Sequence, residues 1–155
     1  MDGVELYRII KKDPFMSRLL RGILYANEVI KINSRQWFGK RAFIINASEH
    51  WLLLVLYGDY ILYIDPLGKP PSAYSSTLAV WLKNQKCPIK SKLIRIQPNN
   101  SELCGLYILY FLYFLSRGFK YENILQKFNR SNLCLNDMLV SKFALTKFNF
   151  KIKNL

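Results

Sequence analysis

Histidine is almost absent from this chain: among 155 residues His50 is the only one. Any imidazole chemistry therefore rests on that residue. Acids are scarce too, with 10 Asp plus Glu against 23 Lys plus Arg, a formal charge of +13. Such an excess favours polyanionic partners, nucleic acid first and an anionic membrane surface second. The three cysteines are too few and odd in number for a disulfide framework. The opening stretch MDGVELYRIIKKDPF mixes charges into its apolar part, so it does not read as a signal peptide. The longest uncharged apolar run, residues 103–115, falls short of the roughly 20 residues a bilayer span needs. No internal repeat and no linker interrupts the chain. These absences point to one intracellular domain, residues 1–155, in a reducing compartment and without a membrane span.

What is present is apolar and patterned. About half the residues are hydrophobic and 15% are aromatic, enough for a real core. Residues 4–11 repeat apolar positions at helical spacing, and the following Asp-Pro-Phe stops or redirects the chain. The stretch SRLLRGILYANEVI is mixed and reads as a loop with a short helix. Residues 41–48 are β-rich, and 50–57 and 60–65 are apolar runs joined by Gly58-Asp59, a hairpin signal. Residues 65–72 form a loop by their Pro and Gly content, and 74–84 an amphipathic helix with Leu78, Trp81 and Leu82 inward. Residues 92–97 read as another strand. Residues 103–115 follow as a helix apolar all round, which belongs inside a fold. A last helix over 136–145 leads into a basic tail, KFNFKIKNL. The expected architecture is α+β: a mostly antiparallel sheet packed around a central buried helix.

One constellation carries chemistry. His50 opens the most apolar strand and Asp65 closes its hairpin partner, so antiparallel pairing brings both to one sheet edge. An aspartate accepting from the imidazole fixes its tautomer and stabilises the imidazolium. Cys104 begins the buried helix, where unpaired backbone N–H groups and the positive end of the dipole favour thiolate. Cysteines so placed have pKa values of about 3.5 to 7.5 instead of about 8.5. Attack by a thiolate on a carbonyl makes an oxyanion, and two donors are at hand for it: the Cys104 backbone N–H and the side-chain amide of Gln97. Gly105 allows close approach of substrate and backbone. Singly, a cysteine at the start of an apolar helix is commonly a buried small hydrophobe, and a strand histidine commonly structural. It is the ordered set of His, Asp, Gln and Cys-Gly that argues for a nucleophile and its base.

His50-Trp51, Asp65-Pro66-Leu67-Gly68, Gln97 and Cys104-Gly105 together resemble the adenovirus-type cysteine protease (adenain) family, within the larger group that includes the ubiquitin-like-protein proteases. ELYRIIKKDPF resembles that family's N-terminal helix, and SNLCLNDMLVSKF the later N-D-x-x-V helix of viral members. The resemblance implies an adenain-like (papain-like) fold and a thiol endopeptidase. His50 would be the general base, Asp65 its orienting acid, Cys104 the nucleophile and Gln97 part of the oxyanion hole. Trp51 would help wall the substrate site beside Gly105. The acid-Pro-Leu-Gly run and the Gln-to-Cys interval favour the viral branch. The acid is Asp where adenain often has Glu, a change of reach and not of role. The family cleaves viral precursor proteins at Gly-containing sites, so the resemblance places this chain in the virion and the host nucleus or cytoplasm. It requires no small-molecule cofactor and no metal.

Some family members are activated by viral DNA and by a peptide. Between residues 66 and 101 the charges fit that: Lys69, Lys83, Lys86, Lys90, Lys92 and Arg95 occur with no acid. Of these, Lys83, Lys86, Lys90, Lys92 and Arg95 are the candidate DNA contacts, binding phosphate without reading sequence. Cys87 lies near the place from which an adenain cysteine bonds its activator peptide; Cys134 has no role beyond the core. The expected enzyme is a monomer. Two other readings stand beside it: a protease removing ubiquitin or a ubiquitin-like modifier, and a non-catalytic basic DNA-binding protein that keeps the fold.

Overall fold

A computed structural model of the chain describes residues 1–32 and 39–153. The last two residues of the basic tail, 154–155, lie outside them. The fold is α+β, and the chain forms two compact units: Leu19–Ile94, and Met1–Arg18 together with Arg95–Leu155.

The first unit is built on a five-stranded sheet: β1 (Leu20–Tyr25), β2 (Arg41–Ala47), β3 (His50–Leu56), β4 (Ile61–Ile64) and β5 (Ile89–Lys90), side by side in that order. Its centre is antiparallel, β2 with β3 and β3 with β4, but both edge strands join in parallel. The sheet is therefore mixed, antiparallel at its centre and parallel at both edges. Parallel neighbours need a long crossover, and both crossovers exist. Residues 26–40, with a 3-10 helix at Ala26–Lys31, separate β1 from β2, and an α-helix at Ser76–Lys83 lies between β4 and β5. Strand β1 falls in the stretch read as loop and short helix. Its register slips between Leu20 and Gly22, and the missing side chain there breaks the apolar pattern. Residues 92–97, expected as a strand, carry no regular structure. Exposure does not alternate along them either: Lys92, Leu93 and Arg95 are exposed, while Ile96 and Gln97 are both buried.

Every residue of β3 is buried, so the strand is covered on both faces. That is why HWLLLVL is continuously apolar instead of alternating. On one face, Leu52, Leu54, Leu56, Ile61 and Tyr63 pack with Val29, Leu78 and Leu82. The Gly58-Asp59 hairpin forms as expected, with Tyr57 N–H donating to the Tyr60 carbonyl over 2.9 Å and Gly58 at φ +92°. The β2–β3 turn is tighter still. Ala47 pairs with His50, leaving only Ser48 and Glu49 to turn the chain, at φ 51° and 64°. Left-handed conformations suit the twist of a two-residue hairpin but cost non-glycine residues roughly 1–2 kcal/mol apiece.

In the second unit, α1 (Gly3–Lys11) begins in a capping box, Asp2 accepting from the Glu5 N–H and Glu5 from the Asp2 N–H. The Asp-Pro-Phe break redirects the chain into α2 (Pro14–Leu19), the Asp13 carboxylate accepting from the Met16 N–H at 2.8 Å. The helix in the first unit, Ser76–Lys83, is α3 in chain order, capped by Ser75 on the Leu78 N–H. The apolar run becomes α4 (Cys104–Ser116), buried almost all round, with the short α5 (Tyr121–Leu125) and α6 (Cys134–Phe148) packed against it. Phe111, Tyr110, Phe128 and Phe143 fill the space with edge and stacked ring contacts. Arg117 closes the end of α4, paired with Asp13 at 2.5 Å and lying 3.5 Å over the Tyr113 ring. The last helix runs longer than the expected 136–145, because Leu135, Met138 and Leu145 face outward and blur its periodicity. Among the described residues, no helix is long and apolar enough to cross a membrane.

Candidate active site

Two of the four chemical residues meet in the sheet unit. Extending the β3–β4 register one pair beyond Leu53–Ile64 sets Asp65 opposite Leu52. Leu52 and His50 share a face of β3, since side chains alternate with period two. Asp65 and His50 therefore project to the same side, and His50 Nε2 lies 2.6 Å from Asp65 Oδ1. Their side chains are only 11% and 0% exposed, so the pair is shielded from water.

The carboxylate is held from every side. Oδ1 also accepts from the Leu67 N–H at 3.0 Å, and Oδ2 accepts from the Lys69 N–H at 2.9 Å and the Tyr74 hydroxyl at 2.5 Å. A carboxylate taken out of water must recover its hydrogen bonds inside the protein. The run after Asp65 supplies them: Pro66 has no N–H to satisfy, and Gly68 adopts φ +70°, which lets the chain curl back over the side chain. The Gly68 N–H closes the turn on the Asp65 carbonyl at 2.9 Å. With Nε2–H directed at a carboxylate, the neutral ring carries its basic lone pair on Nδ1. Tyr74 does two things here. Its hydroxyl holds Asp65, and its ring stacks on His50, centroids 5.0 Å apart and planes 21° apart. Sequence reading missed Tyr74; an aromatic residue at the end of a Pro-rich loop has no periodic signal. Trp51, next on β3, is buried and points to the opposite face of the sheet from His50.

Gln97, Cys104 and Gly105 belong to the helical unit. Cys104 is the first residue of α4, half-buried, and Gly105 is buried beside it. No side-chain hydrogen bond caps this end of the helix, and the Leu106 N–H donates to the Leu103 carbonyl at 2.9 Å. Gln97 is 1% exposed. Its Nε2 donates to the Ser101 carbonyl at 2.9 Å, while its Oε1 is buried without a hydrogen-bond partner. Arg95 Nε donates to the Gln97 carbonyl at 3.3 Å.

The loop joining Gln97 to Cys104 is tied down by residues to which sequence reading gave no part in the site. The Ser101 hydroxyl donates to Asp137 at 2.9 Å and accepts from the Leu103 N–H at 3.2 Å. Tyr107 donates its hydroxyl to the same Asp137 oxygen at 2.7 Å. Burial, reinforced by the bond to Asp137, pushes the Tyr107 hydroxyl far above the ordinary tyrosine range, so it remains a donor. Asn136 is buried and donates to the carbonyls of Ile96 and Asn129.

The candidate DNA residues Lys83, Lys86, Lys90, Lys92 and Arg95 are all exposed, the first four in the sheet unit and Arg95 in the helical unit. Lys90 sits 3.9 Å over the Tyr60 ring, which is stacked on Tyr57. Cys87 packs against the core beside α3, and burial pushes its thiol upward, which slows thiolate chemistry there. Cys134 is exposed at the start of α6. Among the described residues, no cluster of three or more His, Cys, Asp and Glu could hold a metal ion. In comparison with known proteins, no family model and no curated protein matches the chain.

Proposed function

We propose that this chain is a thiol endopeptidase of the adenain type that cleaves virion precursor proteins at Gly-containing sites. The observation that carries the reading is the shielded His50–Asp65 pair, its imidazole Nε2 lying 2.6 Å from the carboxylate. Support also comes from a cysteine at the opening of an uncapped thirteen-residue helix and a buried glutamine anchored just before it. In the proposed reaction His50 takes the Cys104 proton, and the thiolate adds to the scissile carbonyl. The backbone N–H of Cys104 and the Gln97 amide receive the oxyanion. Collapse of the tetrahedral species expels the amine, which takes its proton from His50, and leaves an acyl-thioester. Water, deprotonated by His50, hydrolyses it and restores the thiol. Exposed Lys83, Lys86, Lys90 and Lys92 suit DNA as an activator, and Cys87 is the proposed link to an activating peptide.

The test is selective alkylation with iodoacetamide near neutral pH, located by mass spectrometry. Accessibility alone would make the exposed Cys134 react first. The proposal expects Cys104 to react first, and His50→Ala to abolish its lead. Equal or slower alkylation of Cys104, or cleavage surviving in Cys104→Ala, overturns it. Incubation with a ubiquitin-like fusion and with a viral precursor protein separates the modifier-removing reading from virion maturation. A chain that binds DNA but whose Cys104 is inert would be the non-catalytic protein.

A further inference from the structure

Helix α6 contributes no atom to the chemistry proposed above, yet it grips the segment between Gln97 and Cys104 at both ends. At one end the buried Asn136 donates to the Ile96 carbonyl at 2.8 Å, immediately before Gln97. Asn136 is fixed in turn, since it also donates to the Asn129 carbonyl and accepts the Asn129 N–H, each at 2.7 Å. At the other end Asp137 takes the Ser101 hydroxyl, and that hydroxyl takes the Leu103 N–H, next to Cys104. The Ser101 carbonyl meanwhile receives the Gln97 amide. Ser101 thus joins the glutamine, the helix start and the carboxylate of α6 in one hydrogen-bonded chain. Tyr107, one turn into α4, donates to the same carboxylate oxygen, so the helix carrying the cysteine is tied to that anchor as well. Consecutive residues on a helix project in different directions. Asn136 and Asp137 can therefore hold separate ends of one loop.

We propose that Asn136 and Asp137 are positioning residues that set the Gln97 amide relative to Cys104, so that α6 determines the quality of the oxyanion donor. This rests on the protease reading, and it assigns a task that the reading leaves empty. A donor serves an oxyanion only when held at hydrogen-bond distance from where the charge develops. A side chain on an irregular loop holds such a position only if its neighbours are locked.

Two generic reagents separate positioning from mere folding. Acylation of Cys104 by p-nitrophenyl acetate passes through a tetrahedral oxyanion, whereas alkylation by iodoacetamide needs thiolate but develops none. The ratio of the two rates at Cys104, with the modified residue located by mass spectrometry, therefore reports the oxyanion hole. Gln97→Ala should lower that ratio by about 100- to 1000-fold. Asp137→Asn, Asn136→Ala and Ser101→Ala should each lower it by about 10- to 100-fold, the usual cost of a misplaced group. Combined with Gln97→Ala, each should add no more than about twofold, because the group they act through is gone. Ser101→Ala leaves α6 intact, so it remains informative if an α6 variant is poorly folded. Ratios unchanged in the three variants while Gln97→Ala lowers its own overturn the positioning role and leave the protease reading standing. Losses that multiply fully in the double variants also overturn it, marking a general structural effect. If Gln97→Ala leaves the ratio untouched, Gln97 is not the donor and the positioning role falls with it. A Cys104 no more reactive than Cys134 toward iodoacetamide removes the protease reading itself.

Discussion

Replacing Asp65 by asparagine changes one oxygen to an NH2 group and almost nothing in shape, which makes it a sharp test of the site. Each carboxylate oxygen receives two donors: His50 Nε2 and the Leu67 N–H on one, the Lys69 N–H and the Tyr74 hydroxyl on the other. An amide can match only one side. If its NH2 faces Lys69 and Tyr74, the hydroxyl can rotate to accept but the Lys69 N–H cannot, so one partly buried donor loses its acceptor. Facing His50 and Leu67 instead, the NH2 forces the imidazole to accept on Nε2, which moves its proton to Nδ1 and abolishes the base, and the Leu67 N–H is stranded. Either way one backbone N–H loses its acceptor, a cost of about 1–3 kcal/mol. For a chain of this size that lowers the unfolding midpoint by roughly 3 to 10 °C. The second orientation also costs activity, by about ten-thousandfold where an orienting aspartate has been so replaced in other enzymes. The assays are thermal unfolding by circular dichroism and Cys104 acylation by p-nitrophenyl acetate. Asp65→Asn with an unchanged midpoint and near-native acylation would refute the argument that this carboxylate orients His50.

Tyr74→Phe keeps the ring on His50 and removes one charge-assisted bond, so unfolding should become easier by about 1.5–3 kcal/mol. Tyr74→Ala should lower acylation further, through loss of the stack; equal rates for the two variants would show that the ring does not hold the imidazole. At Asp13, burial would raise the carboxyl, but hydrogen bonds from Arg117 and the Met16 N–H and the guanidinium charge outweigh it and hold the acid below its ordinary value of 3.8. The stability it lends is therefore present above 3.8 and lost as the pH falls through the lowered value. Asp13→Asn should destabilise by about 1–2 kcal/mol at neutral pH, after discounting partial exposure, and denaturant titrations should show the difference vanishing in strong acid. DNA binding, measured by fluorescence anisotropy, should weaken steeply with salt. Alanine at Lys83, Lys86, Lys90 and Lys92 together should flatten the log–log slope by about 0.9 for each phosphate that is no longer neutralised, whereas an unchanged slope would place the DNA elsewhere.

Much of the sheet was legible because its central strands are rich in apolar residues, and His50–Leu56 and Ile61–Ile64 are buried throughout. Arg41–Ala47, His50–Leu56 and Ile61–Ile64 announce themselves by apolar runs, and the Gly58-Asp59 turn ties two of them antiparallel. That hairpin alone was enough to bring His50 and Asp65 to one edge. The edges were not legible in the same way. Leu20–Tyr25 contains Gly22 at a register slip, and Ile89–Lys90 is too short and exposed to stand out, while the better pattern at 92–97 found no ladder. Period-two alternation records which way a side chain faces. It carries no mark of strand direction, so the parallel edges had no signature. Tyr74, Ser101, Asn136 and Asp137 were invisible as parts of a site for a related reason: each acts through a hydrogen bond to a residue in another loop or helix.

By itself the amino-acid order determined the chemistry available: one imidazole, one acid at the far end of its hairpin, and a cysteine where polar loop turns to apolar helix. Those are local facts, settled by residue type and by neighbours along the chain. Only the tertiary structure decided which nitrogen of His50 meets Asp65, which hydroxyl completes the carboxylate, and which helix anchors the loop before Cys104. Hydrogen bonds require atoms about 3 Å apart in a set direction, and no spacing along a sequence specifies that.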